Sequence, residues 1–311
     1  MRLQSIRRDK FMKPVLHSVS YAGLWGQEAL NLEEFVSHTA ELGYSGVMLM
    51  SKRPHLSPLD YDEKKIDQLA QLLKEKNLSV SCIAAYSDPN CGFSATSGPF
   101  APVGEMQLLS IRHFAEMAQK LNSPIIRLMT GLAATGEPYK IQWDRCVNFM
   151  REACDIAASF DVTIGIQNHD DIAGHYLSMG DLIEEVNRPN CKACFDAWSV
   201  ALHGDDLVEA VNTLGDKIVH TTVADYVKRP RFRYHNPGEG NIYERILDEV
   251  RAVPPGEGFI DYAKFFDALK NIGFNGTVGF EMCSPIRGGG SRENLDHYSQ
   301  QFLKFFEPWI G

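Results

Sequence analysis

The chain has 311 residues, 44% of them hydrophobic, enough to bury a large core either as two ordinary domains or as one large α/β barrel. A net charge of -9 argues against nucleic acid, which is held through its phosphate backbone and needs a basic face. Seven cysteines, an odd number, fit reduced thiols better than a disulfide framework, and no stretch approaches the ~18 apolar residues of a membrane span.

The start, MRLQSIRRDKFMKPVLHS, is basic but lacks the apolar run of a signal peptide, so the expectation is a cytoplasmic protein without membrane attachment. Residues 1–12 read as a loose extension and 13–311 as a single domain. From there short apolar runs recur at 15–20 (VLHSVS), 46–50 (GVMLM), 78–84 (LSVSCIA), 124–129 (PIIRLM), 163–167 (TIGIQ), 191–196 (CKACFD), 218–223 (IVHTTV) and 277–281 (TVGFE). Helical stripes lie between them. Leu32, Phe35, Val36, Thr39 and Leu42 fall on one face, with Asn31 placed to cap the start and Gly43 to end the helix. Comparable stripes include Ile66, Leu69, Leu72 and Leu73, then Val147, Met150, Ala153, Cys154 and Ala157, then Phe265, Phe266, Leu269 and Ile272. The last comprises Leu295, Tyr298, Phe302, Phe305 and Phe306. All read as packing faces.

Eight strands alternating with helices, with no Pro/Ser-rich linker, is the count of a single (β/α)8 TIM barrel. In that fold the site lies where the strands end. The polar residues there are His17 and Ser20, then Lys52, Arg53 and His55, then Tyr86 and Asp88, then Arg127. They continue with Gln167 and His169 in IGIQNHDD, Asp196, then His220, Thr222 and Asp225, and finally Glu281. Two carboxylates, one or two imidazoles and an amide oxygen could hold a divalent cation of the Mn, Mg, Co or Zn kind. That set gives Gln167, Asp196, His220 and Glu281 as metal ligands, and Glu281, His169 and His220 as candidates for moving a proton.

Three further stretches carry chemistry-bearing residues. VKRPRFRYH, at 227–235, is a basic run that could hold a substrate carboxylate or phosphate, or equally be a solvated loop or subunit contact. RGGGS, at 287–291, places glycines before a Ser-capped helix, an arrangement that can cradle an anion. Cys191 and Cys194 form a lone C-x-x-C along a strand and read as buried thiols.

From about Lys13 to Pro308 the chain resembles the xylose-isomerase-like barrel superfamily of sugar phosphate isomerases and epimerases. The resemblance is carried by LEEFVSHTAELGYSGVML, IGIQNH, CFDAWSVALHGDD and GEGFIDYAKFFDALKNIGFNGTVGFEM. It implies the same barrel and a divalent metal held by Glu, Asp, His and Glu from the last four strands, the two glutamates also moving protons. Asp196 and Glu281 match that pattern, whereas the first glutamate falls on Gln167, the histidine on Thr222, and a further usual histidine on Ser199. Glutamine cannot take a proton at neutral pH, which excludes a symmetric two-glutamate epimerisation.

The expected function is therefore a metal-dependent isomerase or epimerase of a sugar or keto-sugar, working through an enediolate. Lyase or dehydratase chemistry on a keto-sugar or inosose-like substrate is the close alternative, and a non-catalytic sugar-binding barrel a second class. A metal-dependent nuclease on the same barrel is disfavoured by the charge. His17, Lys52, His55, Arg127, Asp225 and Arg287 are the candidates for gripping a small carbohydrate. The sequence leaves homo-oligomerisation open.

Overall fold

The computed structural model describes residues 12–93, 101–169, 172–235, 238, 240 and 242–310; the expected extension before Met12, and Asp170 and Asp171 of IGIQNHDD, lie outside them. The chain alternates strand and helix in the order β1 (Lys13–His17), α1 (Leu32–Leu42), β2 (Gly46–Met50), α2 (Glu63–Glu75), β3 (Ser79–Ala84), α3 (Val103–Lys120), β4 (Ile125–Leu128) and α4 (Tyr139–Ala158). It continues with β5 (Thr163–Gln167), α5 (Tyr176–Val186), β6 (Cys191–Asp196), α6 (Ala197–His203), α7 (Leu207–Leu214) and β7 (Ile218–Val223). Two strands then leave the pattern, β8 (Asp225–Tyr234) and β9 (Tyr243–Val253), before α8 (Tyr262–Asn271), β10 (Thr277–Phe280) and α9 (Arg292–Phe306).

Eight of these strands close into a parallel barrel in the order β1-β10-β7-β6-β5-β4-β3-β2, as the sequence pattern predicts. The first strand is shorter and earlier than expected. It ends at His17, and residues 18–21 turn into a short 3-10 helix because the His17 ring accepts a hydrogen bond from Val19 N at 3.3 Å. Met12, counted with the extension, is buried and bridges to Ile310.

Strand alternation sorts the side chains into two layers. Outward-facing residues such as Leu16, Phe195, Val278 and Phe280 join the helices in one large core, while Val15, Met48, Cys82, Ala84, Ile125 and Cys194 plug the barrel interior. Glycine enables that plug at Gly165: a Cβ there would strike Cys194 Sγ. Cys191 and Cys194, three apart on one strand, thus face opposite layers, and both are buried free thiols.

The helices form where the stripes place them. Asn31 Oδ1 accepts from Glu34 N at 2.9 Å and the Glu34 carboxylate accepts from Asn31 N at 3.0 Å, a reciprocal cap, and Gly43 ends the helix with φ of 91°.

The ribbon of β8 and β9 was not expected as strands. The two pair antiparallel from Asp225 opposite Val253 to Tyr234 opposite Tyr243, and beyond Val227 their residues are mostly exposed. A ribbon with no buried face has no alternation of apolar and polar residues, so the pattern that reveals the barrel strands is missing. The basic run therefore projects away from the barrel, with Arg229, Arg231 and Arg233 exposed. No helix among the described residues is long and apolar enough to cross a membrane.

Candidate active site

At the C-terminal mouth of the barrel, β5, β6, β7 and the segment after β10 bring Gln167, Asp196, Thr222 and Glu281 to adjacent positions of the wall. Thr222 is the register partner of Asp196 on one side and Gly279 on the other. All four are buried.

Asn168 explains how the end of β5 is held. Its Oδ1 accepts from Asp196 N at 2.6 Å and its Nδ2 donates to Asp196 O at 2.9 Å, so one amide clamps the end of β6 through the backbone. Gln167 donates from Nε2 to Asp196 Oδ2 at 3.0 Å, and Ser199 donates to the same oxygen at 3.1 Å. Asp196 Oδ1 and Thr222 Oγ1 have no hydrogen-bond partner among the described residues.

Glu281 is held differently. Its Oε1 accepts from Trp198 Nε1 at 3.3 Å and from the Cys283 thiol at 3.5 Å, and its Oε2 lies 3.9 Å from His17 Nε2. Since His17 Nδ1 accepts from Val19 N, its Nε2 carries the proton and faces the carboxylate. The His169 ring meets Trp198 edge-on, centroids 5.4 Å apart, and its field acts on both carboxylates.

Burial and the Glu281 charge push the Asp196 carboxyl up to about 7. Burial also raises Glu281, but Arg127 and His169 favour its charged form. Two buried carboxylates in each other's field do not both ionise readily, so Asp196 and Glu281 favour holding one proton between them.

Arg127, from β4, lies inside this wall. Its Nη1 donates to Gln167 Oε1, its guanidinium carbon sits 4.9 Å from the centre of the Tyr86 ring, whose hydroxyl it also influences, and Nε and Nη2 have no hydrogen-bond partner among the described residues. Lys52 stands over the same ring at 4.0 Å, its pKa lowered by burial and by Arg127.

Of the sequence candidates, then, His17, Arg127, Gln167, His169, Asp196 and Glu281 converge, with Lys52 at the edge. Four do not. His220 lies lower in the barrel: its Nδ1 meets Thr277 Oγ1 at 2.7 Å and its Nε2 faces Gly279. Burial and Arg127 depress its pKa to about 3, so it is a neutral interior histidine rather than a ligand or base at the mouth. His55 stacks on Phe35 of α1, centroids 5.8 Å apart, with Nε2 on the Leu30 carbonyl at 3.1 Å, behind the barrel wall. Asp225 is spent on the chain itself, accepting from the backbone N–H of Tyr226, Gly256 and Gly258 at 2.9, 2.9 and 2.8 Å. Arg287 is half-exposed and paired with Glu257.

The RGGGS cradle is also occupied from within. Ser291 caps α9, and the Glu28 carboxylate accepts from Arg292 N at 3.0 Å and pairs with the Arg292 guanidinium at 2.8 Å. The protein's own anion sits at that helix start.

Tyr86 stood among the strand-end residues of the sequence without a role, whereas Trp198 and Cys283 did not figure as site residues. Trp198 lies two residues past the strand-ending Asp196 in DAWS, and that proximity was the available signal; nothing local marks Cys283.

The donor set does not fit a resident divalent cation. Gln167 was expected to offer its oxygen as a neutral ligand, but that oxygen is taken by Arg127 and the amide N–H is turned toward Asp196. Thr222 offers only a hydroxyl, and among the described residues no three His, Cys, Asp or Glu side chains gather as metal ligands. A fixed guanidinium in the same wall further opposes a second cation.

Comparison with known proteins agrees with the fold. A family model described as xylose isomerase-like TIM barrel matches residues 36–301. The D-psicose 3-epimerase of Ruminiclostridium cellulolyticum is 21% identical over 317 residues, taking in 93% of this chain and 96% of that protein. A match to an inosose isomerase of Bacillus licheniformis is 28% identical but spans about half of each protein, 45% of this chain and 46% of the relative. Among solved structures, the IOLI protein with a bound zinc atom superposes with a TM-score of 0.73 at 16% identity, over 96% of this chain and 100% of the other. The closed barrel and the family match over most of its length place this chain in the xylose isomerase-like TIM barrel family.

Proposed function

We propose that the protein is an isomerase or epimerase of a small sugar or keto-sugar, moving a proton next to a carbonyl group. The observation that carries this reading is the buried pair of Asp196 and Glu281 at the barrel mouth, one carboxylate poised as base and the other as acid. Relatives named as a D-psicose epimerase and an inosose isomerase support the substrate class.

Glu281 takes the proton from the carbon beside the carbonyl. The C–H electron pair becomes the new C=C bond, and the carbonyl π pair moves onto oxygen to give an enediolate. Return of a proton, from Glu281 to the neighbouring carbon or from Asp196 to the original one, rebuilds the carbonyl. Isomerisation to the neighbouring carbon also passes a hydroxyl proton between the two oxygens. Trp198 and Cys283 donate to one Glu281 oxygen and orient the carboxylate, and His17 lies 3.9 Å from the other.

The same acid–base pair supports a second reading, a lyase, in which Asp196 protonates a departing hydroxyl. Solvent deuterium exchange into a panel of ketoses and inososes, with loss of water followed in parallel, separates the two. Exchange without elimination, abolished by Glu281→Gln, is expected. Elimination as the main outcome establishes the lyase, and neither reaction with any compound leaves a binding barrel.

A further inference from the structure

We propose that Arg127, in place of a divalent cation, holds the oxyanion at this site, and that its ligand is a small molecule with two syn oxygens: a carboxylate, or the enediolate of a hydroxycarbonyl compound. The reaction assigned to it rests on the proton-transfer reading above; the binding site does not.

Three observations carry the inference. The first is the hydrogen bonding of Arg127 itself. Nη1 is anchored on Gln167, whereas Nε and Nη2, the two donors that share one edge of the guanidinium, have no hydrogen-bond partner among the described residues although the side chain is buried. Buried donors are nearly always satisfied, and this edge matches two parallel oxygens. Anchoring one nitrogen and seating the guanidinium over the Tyr86 ring fixes the direction of that edge before any ligand arrives.

The second is the company the edge keeps. Asp196 Oδ1 and Thr222 Oγ1, at the ends of β6 and β7, are also buried without hydrogen-bond partners among the described residues. A hydroxyl-bearing ligand supplies what each lacks: a donor for the carboxylate oxygen and an acceptor or donor for the threonine. Arg127 also lies close enough to Glu281 to favour its ionised form, so the base and the oxyanion holder act at the same end of the barrel.

The third is substitution in kind. A carboxylate at 167 would leave three acidic groups needing a cation; glutamine there turns one oxygen to the arginine and its N–H to Asp196. The wall carries its own positive charge, fixed to the chain. The start of α9, the alternative place for an anionic group, is filled by Glu28.

Oxalate, a planar dianion with syn oxygens, is the probe, titrated calorimetrically into wild-type protein in EDTA, with metal content measured by elemental analysis. Metal-free protein is expected to bind oxalate, and added Mn should not strengthen that binding. Arg127→Met should weaken it at least about tenfold, while Arg127→Lys, keeping the charge but losing the fork, should fall between. Thermal melts of both variants separate lost binding from lost fold, and the wild-type comparison with and without metal needs no variant. Oxalate binding that appears only with added metal overturns the proposal, as does a folded Arg127→Met protein that binds like wild type. If binding depends on Arg127 but no sugar exchanges deuterium, the anion site stands and the isomerase reading fails.

Discussion

His55 shows how one buried ring couples stability to pH. Burial depresses its pKa to about 4, below the ordinary 6.5 of the unfolded chain, while the Leu30 carbonyl and Glu33 oppose the shift. The stability it supports is therefore complete above pH 6.5 and is lost as pH falls toward 4, because the unfolded state takes up a proton that the folded state refuses. His55→Gln should flatten the pH dependence of denaturant unfolding in that window by up to one proton, about 1.4 kcal/mol per pH unit at most. An unchanged slope would mean the ring does not stay neutral in the folded protein. Asp196 works in the opposite sense, its carboxyl raised to about 7 by burial and by Glu281, so only the difference between variant and wild type isolates His55. Gly165 is a second residue with a sharp expectation: Gly165→Ala drives a methyl into Cys194 Sγ in the barrel interior and should cost about 1–3 kcal/mol by chemical denaturation. Pairing it with Cys194→Ala should recover part of the loss.

At the scale of elements, α1 and the β8–β9 ribbon mark two extremes of dependence on the rest of the chain. Helix α1 carries its own start signal, the reciprocal Asn31–Glu34 cap, and its apolar stripe meets the barrel. Asn31→Ala should therefore cost about 1 kcal/mol in stability and leave solvent exchange activity alone, a split readable by denaturation beside the activity assay. The ribbon, by contrast, is rooted by buried Tyr226, Ala252 and Val253 and projects exposed residues such as Phe232, Tyr243 and Leu247 beyond them. Replacing residues 231–246 with an Asn-Gly turn should shift the melting temperature by only about 2 °C. A much larger drop would show that the ribbon's outer half is packed against something in solution, and sedimentation at several concentrations would then show whether that is a second copy.

Across the whole molecule, the barrel is legible in the sequence because its signals are local. A buried strand, an amphipathic stripe, Asn31 at a helix start and Gly43 at its end each report on a few neighbouring residues, and eight repeats of them leave one closed architecture. The ends of the strands also mark where chemistry collects, which is why Asp196, Glu281, Gln167 and Arg127 stood out in the sequence. What each does there was not legible. Gln167 has an oxygen and an N–H, and the chain alone cannot say which faces what; the guanidinium of Arg127, 40 residues away, takes the oxygen. Asp225 and Arg287 follow strands just as Glu281 does, yet one is used by the backbone of Gly256 and Gly258 and the other by Glu257. Local pattern determines which residues reach the mouth of the barrel, since alternation and helix period act over a few positions. Hydrogen-bond direction, shared protons and the charge balance of the pocket depend on groups brought together from distant strands, and those were settled only when the barrel closed.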